Sequence, residues 1–310
     1  MNLVASIIIP IFGMAVIGFA SGRIGLLSET AARGLSDFVF RLAIPIMLFH
    51  TLGNLDLPDI EWKGMAAYYL SAGLIYVGSA LFARFRLGLN AEGAGSFAMG
   101  TAFANTVLLA MPIVMKVHGP QNMTPMFLII SCHTTFLFGI GSIMVETWRA
   151  KASSPFKTLG KILSGLLTNP IILGLGSGVL FNLSGLELPG WLDEIAIMFS
   201  EAAVPCALFS MGLTLSTFKL AGNRLNIVWI IVIKLLIHPL LMWTLGKFVF
   251  QLSPLWLSVS VISAAMPSGI NSYLFAAGYR SQEATLAAAV LISTALSMLT
   301  ASLLLMSGVV

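Results

Sequence analysis

The chain has 310 residues, of which 58% are hydrophobic and only 9% are charged. Soluble proteins carry charge on about a quarter of their residues, so this composition excludes a soluble globular protein and predicts an all-α integral membrane protein. The net charge of +4 comes from basic residues in short loops between apolar segments. It therefore does not indicate nucleic-acid binding, and the expected surroundings are a lipid bilayer.

Ten apolar segments follow one another along the chain, each close to the roughly 20 residues that a helix needs to cross a bilayer. They cover residues 3–20, 35–52, 64–83, 93–117, 123–147, 160–181, 195–216, 225–248, 255–279 and 283–308. Lysine and arginine concentrate in the loops that follow odd-numbered segments. Because cytoplasmic loops carry the excess of positive charge, this distribution predicts that both termini lie outside.

The two halves of the chain resemble each other when one is shifted by 160 residues. The shift places Gly18 on Gly178 and Pro45 on Pro205. Each half holds five segments, and an odd number inverts the second copy relative to the first. The pattern predicts two inverted five-helix repeats, residues 1–150 and 151–310, which is typical of secondary transporters.

The fourth and ninth segments are interrupted near their middles, at positions that correspond in the two repeats. Their prolines and polar residues are Asn105, Thr106, Pro112, Pro267, Ser268 and Asn271. A broken helix is tolerated in a membrane only where it is buried in protein or lines a cavity, and free helix N-termini suit a carboxylate. The sequence therefore predicts a substrate site at these six residues, with Asn105 and Asn271 in matching places. The alternative is that the prolines merely kink packed helices.

Lys234 lies near the middle of the eighth segment. A lysine at the bilayer centre costs ~2.5–3.5 kcal/mol, so it should face the protein interior and have a partner. We expect that partner to be a carbonyl at the C-terminal end of a broken half-helix, or an anionic substrate. His238, four residues on, shares its face and is either a polar neighbour of Lys234 or a satisfied helix histidine.

Two further histidines, His133 in the fifth segment and His50 at the end of the second, lie in apolar surroundings. His133 could carry protons or make an interhelical hydrogen bond, and His50 could line the substrate path. No metal-binding, nucleotide-binding or nucleophile motif occurs. We therefore expect no metal, no cofactor and no enzymatic activity, and transport that uses a gradient or is passive.

Short runs of glycine in the first and sixth segments predict close approach between helices. The runs are Gly13, Gly18 and Gly22, and Gly174, Gly176 and Gly178.

A set of short motifs spread over the whole chain resembles the auxin efflux carrier family. They are Ser21–Gly25, Ala43–Pro45, Asn105 with Pro112, Asn169–Pro170, Ala203–Pro205, Lys234 with Pro239, and Pro267 with Asn271. The bacterial branch, which includes candidate malonate transporters, is the most similar. One departure is that Thr106 and Ala110 stand where many bacterial members carry glycine, which leaves the point of unwinding open.

The resemblance implies a ten-helix fold with a scaffold of helices 1, 2, 6 and 7 and a mobile transport domain of helices 3–5 and 8–10. It also implies that the broken helices 4 and 9 cross at the substrate site, with Asn105, Pro112, Pro267 and Asn271 at the crossing. A homodimer and a location in the bacterial inner membrane are further expectations.

The leading hypothesis is a carrier of a small organic anion, such as malonate or an auxin-like acid, that works by elevator-type alternating access. One alternative is a cation/proton antiporter, which needs carboxylates within the membrane. Another is a membrane sensor on the same fold that no longer transports.

Overall fold

The computed structural model describes residues 3–54, 61–149 and 168–308, with the side chains of residues 3 and 4 left aside. Within these ranges the regular secondary structure is helical apart from one isolated β-bridge. The helices are α1 (Leu3–Arg23), α2 (Glu29–Gly53), α3 (Trp62–Phe85), α4 (Ala91–Ala102), α5 (Thr106–His118), α6 (Thr124–Trp148), α7 (Pro170–Ser184), α8 (Gly190–Ser216), α9 (Arg224–Val249), α10 (Pro254–Ala265), α11 (Ile270–Gly278) and α12 (Glu283–Met306). A 3₁₀ turn, Pro120–Asn122, precedes α6.

Seven of these helices are long and apolar enough to cross a membrane, namely α1, α2, α3, α6, α8, α9 and α12. Helices α5, α7 and α10 are apolar but shorter. The structure thus agrees with a multi-pass membrane protein, and the bounds of the seven long helices lie close to the predicted segments. Each of the fourth and ninth predicted segments forms two helices. The start of the sixth segment and the boundary between the proposed repeats, at residue 150, lie outside the described residues.

Three helices pass through an internal proline by widening one turn into a π-helix. The π segments are Val39–Ala43 in α2, Thr106–Ala110 in α5 and Ile233–Ile237 in α9, and each ends two residues before Pro45, Pro112 or Pro239. Proline cannot donate to the carbonyl four residues back, and the wide turn shifts the pairing to a carbonyl five residues back. These prolines therefore do not end their helices.

Helices α1 and α8 approach each other closely at two of the predicted glycines. A β-carbon at Gly18 would overlap the carbonyl oxygen of Phe209, and one at Gly22 would overlap the Ser216 hydroxyl. Gly13 has nothing within 4 Å of such a carbon. The predicted close approach is thus confirmed at Gly18 and Gly22 and wrong at Gly13.

Helices α2 and α7 repeat this contact. A β-carbon at Gly174 would lie 2.5 Å from the carbonyl oxygen of Pro45, and one at Gly178 would lie 2.8 Å from that of Phe49. Gly176 has no such neighbour within 4 Å. The two glycine seams pair α1 with α8 and α2 with α7.

Candidate functional site

The two broken segments meet at their breaks. The Asn105 N–H donates to the Pro267 carbonyl and the Gly269 N–H donates to the Phe103 carbonyl, both at 2.9 Å. Ala104 and Ser268 face each other in the antiparallel bridge that these bonds create. We refer to residues 103–106 and 264–271, which are the two breaks with the helix ends beside them, as the crossing. The fourth and ninth segments unwind here, since α4 ends at Ala102 and α10 ends at Ala265.

Two further backbone N–H groups of the crossing donate to side chains from neighbouring helices. The Ala104 N–H donates to His133 Nε2 at 3.2 Å, and the Ser268 N–H donates to Ser293 Oγ at 3.3 Å. The Ser268 hydroxyl donates to the Gly100 carbonyl at 2.6 Å. Buried polar groups almost always need such partners. His133 therefore makes the interhelical hydrogen bond that was one of its two predicted roles, and the Ser268 hydroxyl is already bonded within the protein.

Lys234 in α9 is fully enclosed, with 0% of its surface exposed. Its ammonium donates to the Ala264 carbonyl at 2.6 Å and lies 3.1 Å from His238 Nδ1. Ala264 lies in the last turn of α10, where carbonyls lack helical partners and a positive charge is favourable. This is the half-helix carbonyl that the sequence predicted as partner. His238 is the polar neighbour of Lys234, and Lys234 has no carboxylate partner among the described residues.

Three polar side chains at the crossing keep hydrogen-bonding capacity to spare. Asn105 is 6% exposed, and its Nδ2 contacts only Met211 Sδ in α8, at 3.2 Å. A thioether is a weak acceptor. Thr106 and Asn271 make no side-chain hydrogen bond to the described part of the chain.

The helices that begin at the crossing also have open ends. Neither the N-terminus of α5 nor that of α11 has a side-chain cap. Helix N-termini carry free N–H groups and a partial positive charge, which favours anions. The amides of Asn105 and Asn271 and the Thr106 hydroxyl are further donors of the kind that a carboxylate accepts.

The structure corrects two positions. Asn105 is the residue directly before α5. In α11 the residue directly before the helix is Gly269, and Asn271 is the second residue of the helix. The two asparagines are therefore not in matching places, because the register of the two breaks differs by two residues. Pro112, expected at the crossing, lies inside α5, where the π turn accommodates it. Pro267 lies at the crossing and supplies its carbonyl.

His50 has a partner away from the crossing. Its Nε2 lies 2.9 Å from Asp193 Oδ1, at the start of α8. The contact joins the end of α2 to the start of α8. The structure therefore places His50 in a link between these two helices rather than with the other candidate site residues.

Sequence reasoning missed three residues of the site. They are Tyr68, whose hydroxyl lies 3.4 Å from His133 Nδ1, Met211 and Ser293. Ser293 is a polar residue within an apolar helix, which is a usable signal. Met211 gave none, because methionines are scattered through all the segments.

Comparisons with known proteins place the chain in a transport family. A family profile described as membrane transport protein matches residues 3–305. A protein of Rhizobium meliloti (strain 1021) named as a candidate malonate transporter is 25% identical over 306 residues, which cover 97% of this chain and 95% of that protein. Auxin efflux carrier component 5 of Arabidopsis thaliana is 23% identical over 307 residues, 87% of each chain. Lysosomal cholesterol signaling protein of Mus musculus is 26% identical over 249 residues, 74% of this chain and 28% of that protein.

Proposed function

Because the chain belongs to the membrane transport protein family that includes the auxin efflux carriers, we propose that it is a secondary carrier of a small organic carboxylate. The observation that carries the proposal is the crossing, where two uncapped helix N-termini lie beside two side-chain amides with hydrogen-bonding capacity to spare. The name of the Rhizobium meliloti relative makes malonate the first substrate to test. An auxin-like acid is the second.

The proposed binding site lies between the start of α5, the start of α11 and the adjacent face of α8. The N–H groups at the two helix starts and the amides of Asn105 and Asn271 would donate to the carboxylate, with the Thr106 hydroxyl beside them. Lys234 does not contact the cargo in this proposal, since its ammonium is already bound to the Ala264 carbonyl. It fixes the end of α10 at the crossing.

Movement in the proposed cycle follows an elevator scheme. The scaffold is α1, α2, α7 and α8, and the transport domain is α3–α6 with α9–α12. In support, the crossing is held by directional bonds to α6, α9 and α12 through His133, Lys234 and Ser293. Its polar contact with α8 is the weak one to the Met211 thioether. A weak contact lets the crossing move past the scaffold while its own geometry is kept.

The charge at the crossing favours an anion over a cation as cargo. In the described helices α4, α5, α10 and α11 the one acidic residue is Glu92, in the first turn of α4, and it is bound to Arg149. A cation/proton antiporter needs carboxylates at the site of exchange. Ten membrane spans in two inverted repeats, a homodimer, termini outside and an inner-membrane location complete the proposal.

Uptake of radiolabelled malonate into proteoliposomes tests this function. We expect Asn105→Ala and Asn271→Ala each to reduce uptake about tenfold, because each removes a hydrogen bond to a charged group. Asn54→Ala, which alters an exposed asparagine at the end of α2, is the matched control and should leave uptake unchanged. Normal uptake in both crossing variants would contradict the proposed site.

A further inference from the structure

The Ala104 amide at the crossing is held by a histidine from a third helix. His133 in α6 is 1% exposed, and its Nε2 accepts the Ala104 N–H at 3.2 Å. Ala104 stands between Phe103 and Asn105, whose backbones make the two bonds of the crossing. The Phe103 ring also packs edge-on against the imidazole, with ring centroids 4.6 Å apart. The backbone position of Asn105 therefore depends on His133.

The hydrogen bond defines the chemical form of the histidine. A backbone N–H can only donate, so Nε2 must be unprotonated to accept it, and the ring proton of a neutral imidazole must then be on Nδ1. Nδ1 lies 3.4 Å from Tyr68 Oη, which can accept a hydrogen bond from the Nδ1–H group. A proton on Nε2 would leave two N–H groups facing each other and would release Ala104.

Among the described residues, the surroundings of His133 supply no carboxylate. The titratable groups that face it are Tyr68 in α3 and Lys234 and His238 in α9, and Cys132 precedes it in α6. On α4, Glu92 is bound to Arg149. No carboxylate among the described residues contacts His133. A positive charge on the His133 ring would therefore face the positive charge of the Lys234 ammonium, with no counter-ion among the described residues.

We propose that His133 is a positioning residue that, as a neutral imidazole protonated on Nδ1, fixes the Ala104 amide and thereby Asn105 for cargo binding, and that it does not carry protons. The inference rests on the proposed function for the role of Asn105. The hydrogen-bonding form of the ring stands independently of it.

Two amide variants separate positioning from proton transfer. In His133→Gln the side-chain amide reaches the place of Nε2 and can accept the Ala104 N–H, but it cannot titrate. In His133→Asn the amide reaches only the place of Nδ1 and leaves Ala104 without an acceptor. We expect His133→Gln to take up malonate with KM and maximal rate within about threefold of the wild type, and His133→Asn to raise KM about tenfold. Loss of uptake in His133→Gln would show that titration is required and would overturn the proposal.

Two measurements on the purified protein do not depend on malonate. In ¹⁵N NMR, the His133 signal, identified by its loss in His133→Gln, should show a neutral ring protonated on Nδ1. Amide exchange at Ala104 should stay slow in His133→Gln and become at least tenfold faster in His133→Asn. A charged ring, or a neutral ring protonated on Nε2, would overturn the inference. If the wild type does not transport malonate, the proposed substrate fails while these two results still decide the role of His133.

Discussion

Gly18 in α1 lies directly against the backbone carbonyl of Phe209 in α8, so closely that a β-carbon at position 18 would overlap the oxygen. Gly178, 160 residues after Gly18, meets the carbonyl of Phe49, 160 residues before Phe209. Exchanging the two halves of the chain therefore turns the contact of Gly18 with Phe209 into the contact of Gly178 with Phe49. This is the relation that a twofold axis between repeats produces, and it supports the proposed inverted repeats.

The glycine seam between α1 and α8 predicts a sharp difference between two alanine variants. Gly18→Ala should destabilise the protein by about 1–3 kcal/mol, because the two backbones must separate to admit the methyl group. Gly13→Ala places its methyl group in open space and should be neutral or slightly stabilising, since alanine is favoured over glycine within helices. Thermal unfolding of the detergent-solubilised variants measures both. Equal melting temperatures for the two would contradict the packing described for this seam.

We expect Lys234 to stabilise the fold rather than to contact the cargo. In Lys234→Met the Ala264 carbonyl loses its donor, and an unpaired buried acceptor costs about 1–3 kcal/mol. We expect the melting temperature without substrate to fall. Lys247→Met removes an exposed lysine of the same helix and should have little effect. If Lys234→Met instead keeps its melting temperature and loses only stabilisation by malonate, then Lys234 contacts the cargo directly.

Glu61, which directly precedes α3, predicts a dependence of stability on pH. Partial burial raises the pKa of Glu61, but hydrogen bonds from the Ser253 hydroxyl and N–H and from the Lys63 ammonium outweigh this effect and leave the pKa below its usual value of 4.5. A carboxyl group with a lowered folded pKa stabilises the fold above its unfolded pKa, and this stabilisation disappears as the pH falls through the folded value. Melting temperature should therefore decline below about pH 4.5.

The matched variants for this prediction are Glu61→Gln and Glu187→Gln. Glu61→Gln should have a lower melting temperature at neutral pH and a shallower decline in acid. Glu187 is exposed, and Glu187→Gln should follow the wild-type curve. A Glu61→Gln curve parallel to the wild type over the whole acid range would show that the ties to Ser253 and Lys63 contribute nothing.

Hydropathy was sufficient to place the long helices, because the bilayer requires an apolar run of fixed length. It also located Lys234 and the type of its partner, since a buried ammonium needs an acceptor and the end of a half-helix supplies one. The unwinding point of the fourth segment could not be predicted. The break at residues 103–105 contains neither proline nor glycine, whereas Pro112 lies within a helix.

The reason is that long-range contacts hold this break open. His133 is 29 residues from Ala104, and Pro267 is farther still along the chain. Such distant partners cannot be predicted from the residues that surround the break in the sequence. The same applies to His50, whose partner Asp193 is 143 residues away.

The pairing of Ala104 with Ser268 joins the two broken segments, and a disulfide between these positions tests it directly. Both flanking hydrogen bonds come from their neighbours, so the two residues form the close pair of an antiparallel bridge, with α-carbons about 4.5 Å apart. This separation suits a disulfide. In a background of Cys132→Ala and Cys206→Ala, mild oxidation of Ala104→Cys with Ser268→Cys in native membranes should give the cross-linked peptide, detected by mass spectrometry, in near-complete yield. Free thiols at both positions after oxidation would contradict the crossing.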